Sequence, residues 1–275
     1  MEDVLAGLNC TWAFGPESLT ITPGQRGATR LVTALGVRVV PYAALADVAL
    51  TPGRRRTVVL RLVPRQGADP VLAAAAGQLK APADPFRLVL PAAKETLADY
   101  YADKLRSALT DRGPADRFLI AAPPVPLAFK GWDGAASFDG DHVTFTWFWS
   151  GASSAKYSAG DQRFSIAELE GVEWHAPEGA SGSLRLKVRG RRMPSDPNKD
   201  PASVIFSLGW GATHKSLPFA AAVLAAVPSL PRRRPIAARG LQVAELIAKL
   251  GELRDAGVLT EEEFQAKKAE LLARL

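Results

Sequence analysis

The chain has 275 residues, of which 47% are hydrophobic, 34 are basic and 28 are acidic, giving a formal net charge of +6. This length exceeds one typical domain, so we expect one large or two modest domains with an appendage, and the hydrophobic content is sufficient for a sizeable core. A single cysteine, Cys10, excludes a disulfide framework or a thiolate metal site within one chain, and the mild, dispersed positive charge favours a solvated surface over dedicated nucleic-acid binding.

The N-terminus and the apolar runs bear on location. The first segment, MEDVLAGLNC, has two acids where a signal peptide carries basic residues. The longest apolar run, LPFAAAVLAAV, is about half the roughly 20 residues that a membrane helix needs. We therefore expect a soluble, cytoplasmic protein.

The chain contains an internal repeat. The segment VVPYAALADVAL (39–50) aligns with RFSIAELEGVEW (163–174) at an offset of 124 residues, and the same offset places LTIT on VTFT without a gap. Self-similarity at constant spacing is the signature of a duplicated structural unit. We predict two copies of one domain, residues 1–113 and 114–227.

Within each copy, several strands precede one helix. Segments such as SLTIT, TVVLRLVP and FRLVL alternate apolar and polar residues, as half-buried strands do, and Gly, Pro, Asp and Ser clusters separate them. The next segment of the first copy places apolar residues every four positions on one helical face: Leu97, Tyr101, Leu105 and Leu109. After a small deletion, we align Leu97 with Leu217 in the more apolar second helix. The order predicts an α+β fold, in which each copy is a curved antiparallel sheet followed by a C-terminal helix.

This order of elements resembles that of bacterial pleckstrin-homology-like domains. The duplicated pattern G-[LW]-x(5)-F, [VL]-T-[IF]-T and [IY]-A-x-L-x-x-V is similar to an actinobacterial family of tandem domains of unknown function. The resemblance covers roughly residues 4–110 and 128–227. It implies a fold and no particular activity.

Two groups of arginines are candidates for anion binding, because pleckstrin-homology domains hold inositol lipids at the rim of their sheet. They are Arg54, Arg55 and Arg56 in the first copy, and Arg189, Arg191 and Arg192 in the second. The second copy carries no net charge and lacks the basic-aromatic strand motif of RNA-binding sheets. An anionic membrane or a nucleic acid is therefore the alternative partner rather than the preferred one.

Five of the six tryptophans belong to the second copy. In the run TWFWSG, we expect Trp147 and Trp149 to share one face of a strand while Phe148 points the other way. Either the first copy covers this sheet as well, or an aromatic surface is open to a ligand or partner. We favour packing between the two copies.

The motifs reveal no active site. His142, His175 and His214 are far apart, and none has a neighbour at metal-binding spacing. GASGS (179–183) departs from a nucleophile elbow at its last position, and SLGWGATHK (207–215) lacks the third glycine of a dinucleotide loop and the lysine of a phosphate loop. We expect a protein that is not an enzyme and that uses no cofactor and no metal.

The C-terminal part contains a linker and a helical hairpin. Residues 228–240 contain three prolines and four arginines without periodicity, which predicts an exposed linker. Residues 241–275 are typical of two helices, the first of which ends at Gly257. Thr260 and Glu263 have the spacing of a capping box, in which each residue's side chain accepts a hydrogen bond from the other's amide. VLTEEEFQAKKAELL is therefore a helix start followed by an amphipathic helix.

The stretch LIAKLGELRDAGVLTEEEFQAKKAELLARL resembles the SHOCT family of short C-terminal domains. Chains below about 40 residues rarely bury enough apolar surface to fold without a metal, a disulfide or a partner. The resemblance also implies assembly, and closed homo-oligomers are common. We therefore expect an oligomeric scaffold or interaction protein with an unidentified protein partner. The residues predicted to form the contact between chains are Leu246, Ile247, Leu250, Leu253, Leu259, Phe264, Leu271 and Leu275.

Overall fold

The computed structural model describes residues 3–177, 181–206, 212–228, 254 and 260–272. The chain divides into two compact units, Met1–Pro228 and Ser229–Leu275. The first unit contains both copies of the repeat.

The first repeat has two antiparallel sheets and a C-terminal helix. The first sheet contains, in spatial order, β1 (Asp3–Ala6), β2 (Cys10–Phe14), β3 (Ser18–Pro23) and β4 (Arg38–Pro41). The second contains β5 (Leu45–Pro52), β6 (Thr57–Pro64) and β7 (Arg87–Pro91). The helices are α1 (Arg30–Leu35) between β3 and β4, α2 (Pro70–Ala75) between β6 and β7, and α3 (Glu95–Ala108) after β7.

The second repeat has the same plan. Its four-stranded sheet contains β8 (Leu127–Lys130), β9 (Gly134–Phe138), β10 (His142–Trp147) and β11 (Gln162–Ser165). Its three-stranded sheet contains β12 (Leu169–His175), β13 (Gly182–Val188) and β14 (Ser203–Phe206), and its helices are α4 (Ser154–Ala159) and α5 (Thr213–Ala226). Two tandem sheet domains, each ending in a helix, confirm the predicted α+β fold.

Alternation along the strands determines which side chains enter the core. In β6, Val58, Leu60 and Leu62 are buried in the first repeat's core. Thr57 and Arg61, which alternate with them, point to the opposite face because successive side chains of a strand leave on opposite sides. Strand β6 therefore supplies both a core face and an outer face.

The two C-terminal helices correspond at an offset that differs from the predicted one. Tyr101 of α3 stacks on Phe14, with ring centroids 4.4 Å apart. Phe219 of α5 meets Phe138 edge to face, with ring centroids 6.2 Å apart. These matched contacts give the helices an offset of 118 residues. The alignment of Leu97 with Leu217 is therefore wrong.

The physical reason is the connection before the last strand of each repeat. Leu60 pairs with Leu88, whereas Leu184 pairs with Val204, so the offset falls from 124 to 116 between these strands. The connection between β6 and β7 is eight residues longer than the corresponding one in the second repeat, and it forms α2. Leu97 is 43% exposed and lies off the buried face of α3, which is formed by Ala98, Tyr101, Ala102 and Leu105.

The repeats pack through helices. Helices α1 and α2 of the first repeat contact α5 of the second. The second repeat's core includes five buried residues of the first: Leu31, Leu35, Val71, Ala74 and Ala75. Gln78, just after α2, donates a hydrogen bond to the Trp174 carbonyl at 2.8 Å and accepts one from the Ala176 amide at 2.9 Å. Helix α5 is therefore covered on both sides.

The expected packing of Trp147 and Trp149 is wrong. Strand β10 ends at Trp147, and Trp149 lies in the following turn with 83% of its surface exposed. The Trp147 indole donates to the Gly160 carbonyl at 2.9 Å, within its own repeat. Trp174, which is 2% exposed, lies beside the first repeat, where its carbonyl accepts a hydrogen bond from Gln78.

In the C-terminal unit, the structure describes one helix, α6 (Glu261–Leu272). The capping box is confirmed: the Glu263 amide donates to the Thr260 hydroxyl at 3.3 Å, and the Thr260 amide donates to the Glu263 carboxylate at 3.0 Å. Phe264 is 7% exposed, and Arg254 lies 4.8 Å from its ring centroid. The other side chains predicted to mediate self-association lie outside the described residues: Leu246, Ile247, Leu250, Leu253, Leu259, Leu271 and Leu275.

Candidate ligand-binding groove on the first repeat

The outer face of the first repeat's three-stranded sheet forms one side of a groove of about 1130 Å³. Its floor contains Val59 of β6 and Val89 of β7, which alternate along their strands with the core residues Leu60 and Leu88. Leu72 of α2 contributes apolar surface from the side. We refer to this feature as the first-repeat groove.

A buried ion pair holds α2 in place beside this sheet. Asp69 caps the helix by accepting hydrogen bonds from the amides of Val71 at 3.2 Å and Leu72 at 3.4 Å. Its carboxylate also accepts a hydrogen bond from Arg38 at 2.7 Å, and both side chains are almost fully buried. A side-chain cap satisfies amides that the helix leaves unpaired, and removing one partner of a buried ion pair is costly. The wall formed by α2 is therefore fixed.

Arginines form the rim of the groove. Arg54 and Arg55 belong to the turn between β5 and β6, and neither side chain has a hydrogen bond or ion pair within the part of the chain that is described. Arg61 donates to the Asp84 carboxylate at 2.6 Å and keeps 47% of its side chain exposed. Arg87 donates to the Ala81 carbonyl at 2.7 Å. Four arginines thus surround the single acid, Asp84, among the described residues that line the groove.

The second repeat contains the counterpart of the Arg61–Asp84 pair, but there the pair is covered. Arg185 donates to the Asp200 carboxylate at 3.0 Å, and only 9% of its side chain is exposed. The connection between β13 and β14 folds over this pair, because Arg185 also donates to the Pro194 carbonyl and Arg191 approaches Asp200 at 3.4 Å. The same surface is therefore closed in the second repeat and open in the first.

The structure separates the two predicted groups of arginines. Arg54 and Arg55 line the first-repeat groove, whereas the side chain of Arg56, exposed in the same turn, does not. Arg189, Arg191 and Arg192 follow β13. They lie at the opposite end of the hairpin that corresponds to β5–β6.

Arg61, Arg87 and Asp84 were missed from the sequence. Arg61 and Asp84 carry a signal that could have identified them, because the offsets of 124 and 116 place charged residues of the same type at Arg185 and Asp200. Arg87 has no such signal, since its counterpart is Ser203. Its place in the groove follows only from the register of β7.

The groove suits binding rather than covalent chemistry. It combines apolar floor residues with guanidinium groups, which donate hydrogen bonds to carboxylates or phosphates. Burial raises the pKa of Cys10 to about 12, so its thiol stays protonated at neutral pH. Among the residues that the structure describes, no three His, Cys, Asp or Glu side chains are grouped as a metal site would require.

Fold and groove together define a class: a tandem pair of domains, each with a four-stranded and a three-stranded antiparallel sheet followed by a helix, with an open, arginine-rimmed surface on the first. The family model described as Domain of unknown function (DUF4429) matches residues 12–106 and 136–224. The chain belongs to this family. The starts of the two matches are 124 residues apart and the ends 118, as in the structure.

A second family model, Short C-terminal domain (SHOCT), matches residues 245–272. The predicted resemblance of the C-terminal part is thereby confirmed. The search among curated proteins gave no match. Within the described residues, no helix has both the length and the apolar character needed to cross a bilayer.

Proposed function

We propose that the chain is a non-enzymatic interaction protein that forms homo-oligomers through its C-terminal unit. Each oligomer would then present several copies of the tandem sheet domains. Weak sites gain strength when they are linked, because the second contact forms at a high effective concentration. The first-repeat groove is the surface whose affinity would rise through this linkage.

One observation carries the self-association step: residues 229–275 form a compact unit of their own. A unit of this size buries too little apolar surface to offset its ordering entropy unaided. Its sequence contains no cysteine and no histidine, so neither a disulfide nor a histidine or thiolate metal site can stabilise it. Contact with a second copy of the same unit supplies the missing apolar partner.

Deletion of residues 241–275 tests this proposal. We expect size-exclusion chromatography with light scattering to give an oligomer for the full chain and a monomer for the truncated one. Leu250→Asp and Leu271→Asp should act like the deletion, because a carboxylate in an apolar helix contact is left unpaired. Gln265→Asp is the matched control, since this position of α6 is exposed. Equal stoichiometry in the full and truncated chains contradicts the proposal.

A second candidate function is peripheral binding of an anionic membrane or a nucleic acid. The observation that favours it is the presence of Arg54 and Arg55 on an open rim, without partners among the described residues. Such binding is dominated by charge and falls steeply with added salt. Sedimentation with phosphatidylserine vesicles and titration of duplex DNA at two salt concentrations test it.

A further inference from the structure

The two repeats differ at one corresponding surface in a way that points to a ligand. In the second repeat, the segment 189–197 covers the Arg185–Asp200 pair. In the first repeat, the residues that replace this segment form α2 and its flanking loops, and α2 packs on the second repeat instead. The chain therefore fills this surface itself in one repeat and leaves it open in the other.

The open surface retains unused hydrogen-bond donors. Arg185 uses Nε and one terminal nitrogen for Asp200, and the same terminal nitrogen also donates to the Pro194 carbonyl. Arg61 uses only Nε for Asp84, and its two terminal nitrogens have no hydrogen bond within the described residues. The group that would replace the Pro194 carbonyl is a hydrogen-bond acceptor on another chain.

The charges at corresponding positions of the two repeats indicate the charge of the segment that would bind the open surface. The covering segment of the second repeat is basic, with Arg191 and Arg192. In the first repeat, three arginines occupy positions where the offsets assign other residues to the second: Arg54, Arg55 and Arg87 correspond to Glu178, Gly179 and Ser203. Electrostatic complementarity therefore requires an acidic segment in the first repeat.

We propose that the first-repeat groove binds an acidic peptide segment of a partner protein, which covers the Arg61–Asp84 pair as residues 189–197 cover its counterpart. The chain's own linker, residues 228–240, is a poor occupant because it carries four arginines and no acid. The proposal deepens the interaction function proposed above by naming the chemistry of the partner. It does not depend on the number of chains in the oligomer.

A flat membrane or a duplex is the weaker occupant on geometric grounds. Such surfaces attract every exposed arginine of the β5–β6 turn through the phosphate charge, with little regard to where each side chain points. The groove distinguishes these arginines, because Arg55 lines it and Arg56 does not. Both residues have the left-handed backbone conformation, with φ of 53° and 57°.

This pair of neighbours provides the test. The probe is a fluorescein-labelled peptide with the sequence of residues 189–197 and the changes Arg189→Glu, Arg191→Glu and Arg192→Glu; the control probe keeps the arginines. Fluorescence anisotropy with the full chain should show about tenfold tighter binding of the acidic probe. Arg55→Glu should weaken its binding about tenfold, and Arg56→Glu about twofold, since only screened long-range charge changes there.

Several outcomes would overturn the proposal. Absence of binding at millimolar peptide does so, and so does an equal loss from Arg55→Glu and Arg56→Glu, which indicates diffuse attraction. Binding of phosphatidylserine vesicles or duplex DNA that depends on Arg55, without peptide binding, assigns the groove to that ligand instead. Light scattering on the same samples reports the oligomeric state separately, so a failed groove and a failed hairpin give different results.

Discussion

At the scale of residues, the two repeats use different side chains to form hydrogen bonds with corresponding backbone groups of β7 and β14. In the first repeat, Asn9 donates to the Arg87 carbonyl at 2.7 Å and accepts from the Val89 amide at 2.8 Å. In the second, Asp133 corresponds to Asn9 and accepts from the Ile205 amide at 2.9 Å. Its carboxylate cannot donate, and Lys156 donates to the Ser203 carbonyl at 2.6 Å instead.

The Lys156 ammonium also donates to Asp133 at 2.5 Å, and its side chain is fully buried. Val32 occupies the corresponding position in the first repeat. Two substitutions therefore belong together: an amide becomes a carboxylate, and an aliphatic side chain becomes its counter-ion. Asp133 and Lys156 contribute to stability as a pair, because a buried carboxylate without its partner is unfavourable.

We expect Lys156→Val alone to lower the free energy of unfolding by roughly 3–5 kcal/mol, because it leaves the Asp133 carboxylate buried and unpaired. The double variant Asp133→Asn with Lys156→Val recreates the residues of the first repeat and should recover most of the loss. Urea unfolding of the three proteins measures both effects. A double variant no more stable than the single one would contradict this expectation.

At the scale of elements, the corresponding helices α3 and α5 lie in different environments. Helix α3 has one buried face and exposes Asp99 and Asp103 on the other. Helix α5 has Leu217 and Ala221 at the corresponding positions, and both are buried. A helix that is apolar on all sides must be covered on all sides, and α1 and α2 provide that second cover.

The sequence pattern predicted part of these elements. The offset of 124 and the alternating strands depend on local periodicity, and the capping box on the spacing of Thr260 and Glu263, so all were recognisable. Helices α1 and α2 have six residues each, which is too short for a helical period to emerge. Because the pattern did not predict α2, it also gave the wrong offset for the C-terminal helices and did not predict the wall of the groove. Both depend on where an insertion packs in three dimensions.

Leu217→Asp tests the environment of α5. The change gives α5 the residue that α3 carries at Asp99, and we expect it to cost roughly 3 kcal/mol or more, because the new carboxylate is buried without a partner. Asp99→Leu is the matched reverse change on an exposed face and should shift stability by less than about 0.5 kcal/mol. Thermal and urea unfolding compare the two. Similar effects of both substitutions would mean that the outer face of α5 is not covered.

At the scale of the whole molecule, the repeats are joined by more than the chain. Five buried residues of the first repeat belong to the core cluster of the second, and Gln78 makes hydrogen bonds to the Trp174 carbonyl and the Ala176 amide. Separating the repeats would expose this shared apolar surface. The groove depends on the same arrangement, because α2 forms its wall and is held against α5.

This shared core predicts that the repeats unfold together. In hydrogen exchange with mass spectrometry at increasing urea, the amides of β2 and its counterpart β9 should lose protection at the same urea concentration, because unfolding either repeat removes the contacts of α1 and α2 with α5. Leu217→Asp should lower that concentration for both strands by the same amount. Earlier loss of protection in one repeat of the unmodified chain would contradict this, and would mean that the contacts between the repeats contribute little to the stability of either.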